Sequence, residues 1–290
     1  MGFKDKLAAG EFVVLVELEP PKGVEVGPLL EHAARIKGKV DAVVVPEMAN
    51  AVMKMSSLGG CVLLQQRGFE TILQVCCRDR NRLALQADLL AAWALGIQTV
   101  VAVEGENPSY GDHHKARPVY DLELLELLEV IARLGQGRDM AGIELEGAPA
   151  FTVGSTVSPA AIGTVNQEVE QMRQKAAAGA SFFLTPPVYD LDSFAGFLKQ
   201  LEPDERRRII PNVLLLKSVG MARAIDRHLK HVHMPPSLID RLKKAPDRVR
   251  ECIAIARELI ARIKGAGFAG VMVSPLGWED KLPQVLEGAV

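Results

Sequence analysis

The chain has 290 residues, 48% of them hydrophobic and 24% charged, with a formal net charge of −2. That balance supports a substantial core and gives no basic surface for nucleic acid or an anionic membrane. No apolar run approaches the roughly 18 residues of a membrane span, and MGFKDKLAAGEF at the N-terminus lacks the apolar centre of a signal peptide.

In chain order, β-branched runs recur at 12–19, 41–47, 71–77, 99–105, 151–157, 180–186, 209–216 and 270–276. Most are nearly continuous apolar runs, the pattern of parallel strands covered on both faces. Helical periodicity lies between them. One helix is expected over 81–96, capped by Asn81 and stopped by Gly96. A second is expected over 121–135, opened by Asp121, and a third over 247–267. No Gly/Ser linker or composition shift divides residues 1–290, so the expectation is a single α/β domain, an eight-stranded TIM (β/α)8 barrel. A doubly wound open sheet is the rival, and the lack of a GxGxxG after an early strand weighs against it. Cys61, Cys76, Cys77 and Cys252 form no CxxC pair and no secreted scaffold, which implies a reduced, cytoplasmic protein.

In a barrel, chemistry gathers where the strands end. Those ends carry Glu17 and Glu19, Glu47, Gln74 to Arg78, Glu104 and Glu106, Ser155 to Ser158, Thr185, Lys217, Ser218 and Ser274. Glu17 and Glu19 share parity, as do Glu104 and Glu106, so inward alternation would bring four acids to one pocket. Acids crowded in an apolar frame either bind cationic groups or keep a proton to give away. Each also has the plain alternative of a solvated loop position.

Two histidine clusters raise the question of a metal. Asp112, His113 and His114 are consecutive, so neighbouring side chains diverge, and they lack the spacing of a helical HExxH site. His228, His231 and His233 precede Pro235-Pro236 and read as a surface turn. No metal is expected at either. Cys76 and Cys77 read as small buried thiols, with a reactive thiolate beside Arg78 and Arg80 as the alternative.

Motifs across almost the whole chain resemble the methylenetetrahydrofolate reductase family, an eight-unit barrel that holds a flavin. They are VELEPPKG at 16–23, CRDRNRLALQADLL at 77–90, GDHHKARPVYDLELLELL at 111–128, KAAAGASFFLTPPVYD at 175–190 and IIPNVLLLKS at 209–218. The 77–90 run is similar to that in homologues from anaerobic one-carbon metabolism. The resemblance implies FAD or FMN as cofactor and a folate or related pterin one-carbon carrier as substrate. It makes Glu17, three residues before Pro20-Pro21, the acid that opens the folate imidazolidine ring. Glu106 after Gly105 matches the carboxylate that steadies the developing cation. Lys175 matches a lysine that meets flavin phosphate, Tyr120 a tyrosine of the flavin pocket, and Gln74 and Ser158 join that cofactor wall.

The departures cluster at the pocket. Glu104 stands where a bacterial relative turns an arginine toward the flavin. Thr185-Pro186 replaces a Thr-Gln pair whose glutamine binds the pterin edge, and proline offers no amide. Glu19 and Glu47 add carboxylates able to pair with an aminopyrimidine. The expected function is therefore flavin-dependent reduction of 5,10-methylenetetrahydrofolate to the 5-methyl form, or its reverse. The alternatives are a flavin-free folate-binding subunit of a one-carbon complex and a non-catalytic scaffold subunit. The chain has no iron–sulfur cysteine pattern, so an electron-transfer or zinc/iron–sulfur partner subunit is expected to carry electrons, within a homo- or hetero-oligomer.

Overall fold

A computed structural model describes residues 1–160, 163–229 and 232–288. Eight parallel strands close into a barrel in sequence order. They are β1 (Val13–Glu17), β2 (Ala42–Val45), β3 (Thr71–Cys76), β4 (Thr99–Val103), β5 (Thr152–Thr156), β6 (Phe182–Pro187), β7 (Ile209–Leu214) and β8 (Gly270–Ser274). Val16 of β1 registers with Val273 of β8, which closes the ring and excludes the open-sheet alternative.

Helices α1 (Phe3–Ala8), α2 (Gly27–Ile36), α3 (Ser57–Gln65), α4 (Arg82–Ala94), α5 (Leu124–Gly135) and α6 (Val165–Ala177) serve the first half. The second half carries α7 (Ala195–Leu198), α8 (Pro203–Arg206), α9 (Val219–His228), α10 (Pro236–Lys244), α11 (Arg248–Gly265) and α12 (Leu282–Val285). Helix α4 starts as the sequence implies, with the Asn81 side chain accepting from Ala84 N–H at 3.1 Å. Helix α5 starts later than expected. Glu123 caps it, its N–H donating to Glu126 at 2.8 Å, because Asp121 is engaged by the Arg82 backbone and guanidinium. Asp247 caps α11.

Inside the ring, Leu15, Val44, Ile72, Val101, Phe182, Ile210 and Met272 pack as one apolar cluster, a filled interior rather than a pore. Gly154 is required there, since a Cβ would stand 2.4 Å from the Phe182 ring. Helix α1 closes the floor. Phe3 is fully buried and meets Phe182 edge-on, with centroids 5.3 Å apart. A second, larger apolar layer lies between strands and helices. Chemistry is thus left to the opposite end, where the strands run out into polar loops.

Candidate active site

The inner cluster sets the parity of each strand. Val13 and Leu15 face inward, so Glu17 continues that row at the mouth. It is half-buried. Burial pushes its carboxyl up to about 7, Glu19 and Glu106 add to the rise, and a Ser274 hydrogen bond and Lys54 oppose it. Glu19 lies one turn of the pleat further on and forms an ion pair with Lys54.

Parity does not carry every predicted acid inward. Val44 is interior, so Glu47 belongs to the outer row, and it is buried against the helices. Its carboxylate accepts from Ser57 N–H, at the start of α3, at 2.8 Å and pairs with Arg80 at 3.2 Å. Burial raises its pKa, and Arg80 works against that. Gln74 accepts from the Glu47 N–H at 2.8 Å, tying β3 to the end of β2. Val101 is interior too, which puts Glu104 on the outer row, and both Glu104 and Glu106 are exposed.

Arg78, named in the sequence only as one of several charges at the end of β3, organises this side. Arg78 is only 2% exposed, and its guanidinium grips Asp79 through two bonds of 2.7 and 2.8 Å. It also donates to the carbonyls of Glu47, Met48 and Glu106 and lies 3.6 Å from the Glu106 carboxylate. The Asp79 hydrogen bond raises its pKa further. One cation therefore holds the loops after β2, β3 and β4. The approach is close enough to demand glycine at 105, where φ is +90° and a Cβ would stand 2.3 Å from Cys76 Sγ. The Tyr120 hydroxyl donates to the Gly105 carbonyl at 2.9 Å. Tyr120 itself has φ +40°, and burial raises its phenol pKa.

On the β5–β6 side, Lys175 donates to the Thr156 carbonyl at 2.8 Å. Burial lowers its pKa while Glu168 and Glu104 pull it back up. The Ser158 N–H donates to Glu168 at 3.0 Å. Thr185 Oγ1 donates to the Pro186 carbonyl at 2.7 Å and accepts from Asn212 N–H at 3.2 Å. Pro186 sits where β6 slips register between Leu184 and Pro187.

A flavin diphosphate needs free N–H groups and a cation. Here the Ser158 N–H already holds a carboxylate, Lys175 is bound to a carbonyl, and Glu104 and Glu168 are its charged neighbours. The residues around Lys175 do not fit an added dianion.

Asp112 is engaged by Lys22, by the Met53 N–H at 3.0 Å and by His113 at 2.9 Å, which lowers its pKa chiefly through Lys22. His114 faces the Ser109 carbonyl, and His233 lies 3.7 Å from Asp190. His231 falls outside the described residues. Among the described residues no group of three or more His, Cys, Asp or Glu side chains converges as metal ligands. The four cysteines are buried and unpaired, and burial pushes Cys76 and Cys77 up to about 12, far from a reactive thiolate.

The model of the family described as methylenetetrahydrofolate reductase matches residues 2–289. The chain belongs to the methylenetetrahydrofolate reductase family. Methylenetetrahydrofolate reductase 2 of Schizosaccharomyces pombe is 24% identical over 253 residues, 84% of this chain and 39% of that protein. A probable methylenetetrahydrofolate reductase (NADPH) of Caenorhabditis elegans is 22% identical over 74% of this chain and 32% of its own length. The chain thus spans well under half of these two relatives. A Clostridium thermocellum protein described as binding two copies of 5-methyl-5,6,7,8-tetrahydrofolic acid superposes with a TM-score of 0.68 at 14% identity. That likeness covers 99% of this chain and 97% of the other, and it shows a shared fold. Among the described residues no helix is long and apolar enough to cross a membrane.

Proposed function

We propose that the barrel mouth binds a reduced pterin one-carbon carrier of the tetrahydrofolate class, and that Glu17 exchanges a proton with it during methylene–methyl interconversion. One observation carries the reading: a half-buried acid at the inner end of β1, raised to about 7, in a chain of this family. A group with that pKa exists in both protonation states near neutrality, as a general acid requires.

In the methylene-to-methyl direction, the bond from the bridging carbon to N10 breaks and its electron pair stays on N10. Glu17 supplies the proton that N10 takes up, leaving an iminium at N5. The carboxylate of Glu106, placed by Arg78, offsets that positive charge. Glu19 supplies an acceptor at the rim for the pterin's amino group. Reduction of the iminium would take a hydride from a separate two-electron donor, which no residue described here supplies. The carboxylate-filled surroundings of Lys175 assign no residue here to a flavin diphosphate.

That same filling favours a second reading, a pterin-binding barrel that works as a flavin-free subunit. Titration with 5-methyltetrahydrofolate, visible spectra with added FAD or FMN, and a viologen-linked assay on wild type and Glu17→Gln separate the two. Turnover lost in Glu17→Gln with binding retained supports the first reading. Stoichiometric pterin binding without turnover in excess flavin supports the second, and no pterin binding contradicts both.

A further inference from the structure

Asn212 interrupts an otherwise apolar strand, with Ile209, Ile210 and Pro211 before it in β7 and Val213 and Leu214 after it. It stands two residues above Ile210 of the inner cluster, so its side chain also faces into the barrel, at the mouth. The residue is only 7% exposed. Its backbone is already engaged, the N–H donating to Thr185 Oγ1 at 3.2 Å and the carbonyl accepting from Val188 N–H at 2.8 Å. The side-chain oxygen is engaged as well. Ser274 Oγ, buried on the adjoining strand β8, donates to Asn212 Oδ1 at 3.0 Å. The amide nitrogen differs. Among the described residues, the sealed side-chain polar atoms without a partner are the hydroxyls of Thr71, Thr99 and Thr152 and the Nε of Arg206. Asn212 Nδ2 is not one of them and has no partner among the described residues, so it opens onto the mouth.

An amide placed in an apolar strand costs free energy unless both of its ends find partners. Here the serine holds the oxygen end and with it the amide plane, and the two Nδ2 hydrogens are left for what enters the mouth. Position adds to this. Val16 of β1 registers with Val273 and Leu214 of β7 with Ser274, so Ser274 stands beside Glu17 and Asn212 lies one strand further round. On its other side Asn212 registers with Pro187, and Pro186-Pro187 has no N–H to give. We propose that Asn212 is a recognition residue, donating from Nδ2 to an acceptor on the ring edge of the bound pterin. The role rests on the reading of the mouth as a pterin site. A reduced pterin ring carries a carbonyl oxygen and ring nitrogens as acceptors, beside its amino group. Glu19 offers the acceptor for that amino group, and Asn212 offers the complementary neutral donor. A heterocycle with no acceptor at that edge leaves the amide desolvated and unpaired, which is how such a site discriminates.

Two measurements test the role, both with 5-methyltetrahydrofolate as the probe. In protein carrying isotope-labelled asparagine, one proton of the Asn212 Nδ2 pair should move downfield in the NMR spectrum at saturation, as a newly bonded proton does. In calorimetric titration, Asn212→Ala and Asn212→Leu should each raise Kd about tenfold, the size of one lost hydrogen bond. Leucine fills the space that alanine empties, so agreement between the two variants separates the lost bond from a cavity. An amide pair that stays in place at saturation overturns the proposal. So does a Kd that rises in the alanine variant alone, or in neither. If the variants do not fold, the amide shift in the wild-type protein decides. The two claims fail separately. No pterin binding by wild type removes the pterin reading and this role with it, whereas binding with an unmoved Asn212 pair removes this role alone.

Discussion

The two sides of the barrel mouth treat their acids differently. Along the β2–β4 arc, Glu47 has Arg80 and a helix N–H, while Asp79 and Glu106 share Arg78. At the β7–β8–β1 seam, Glu17 meets a hydroxyl backed by an amide. Paired acids fix loops, and their protons are settled by nearby cations. An acid in a desolvated corner, with Glu19 and Glu106 nearby as like charges, has its pKa raised toward neutrality and is poised to trade its proton. The arc builds the mouth and places Glu106, and the seam carries the acid we propose to trade its proton.

Breaking the arc should give the largest effect. Arg78→Met strands Asp79 and three backbone carbonyls, and should cost about 3–5 kcal/mol in urea unfolding, as expected for one partner of a buried pair. A cost below about 1 kcal/mol would mean the three loops hold without it. Gly105→Ala should lose about 2–3 kcal/mol from overpacking on Cys76 at a left-handed φ. Its Tyr120 environment, followed by ultraviolet absorbance, should change with it.

At the seam the expected sign reverses. The Glu17 carboxyl is raised from 4.5 to about 7, so the folded state holds the extra proton. Its contribution is fully present below about pH 4.5 and is lost as pH rises through 7. Glu17→Gln should therefore gain up to about 3 kcal/mol over wild type between those limits. Parallel stability–pH curves for the two proteins would remove the raised pKa. The smallest effect is expected at Asp112→Asn, which loosens the clasp from Lys22 and Met53. Faster hydrogen exchange at residues 50–54, with unchanged global stability, is the outcome to look for.

The barrel was legible because each strand carries its own continuous apolar run between helical periods. The place of Glu17 at the mouth was legible because it ends the first run ahead of Pro20-Pro21. Glu47 and Glu104 were harder. Their direction depends on which residues of β2 and β4 face inward, and near-continuous apolar strands hide that parity. Arg78 follows Cys77 as one of several charges, and nothing in CRDRN says which arginine turns inward. Asn212 did leave a signal, a lone amide inside IIPNVLLL, but its partnership with Ser274 exists only once β7 and β8 are in register. Helix α5 began after Asp121 because that carboxylate was taken by Arg82, a contact 39 residues away in sequence.

Calorimetric titration of 5-methyltetrahydrofolate at pH 7, in two buffers of different ionisation enthalpy, tests the central claim most directly. A pterin that covers Glu17 deepens its desolvation, so wild-type binding should draw a proton from the buffer. The binding heat should then differ between buffers for wild type and coincide for Glu17→Gln. No binding, or a buffer dependence that survives in Glu17→Gln, would contradict the account.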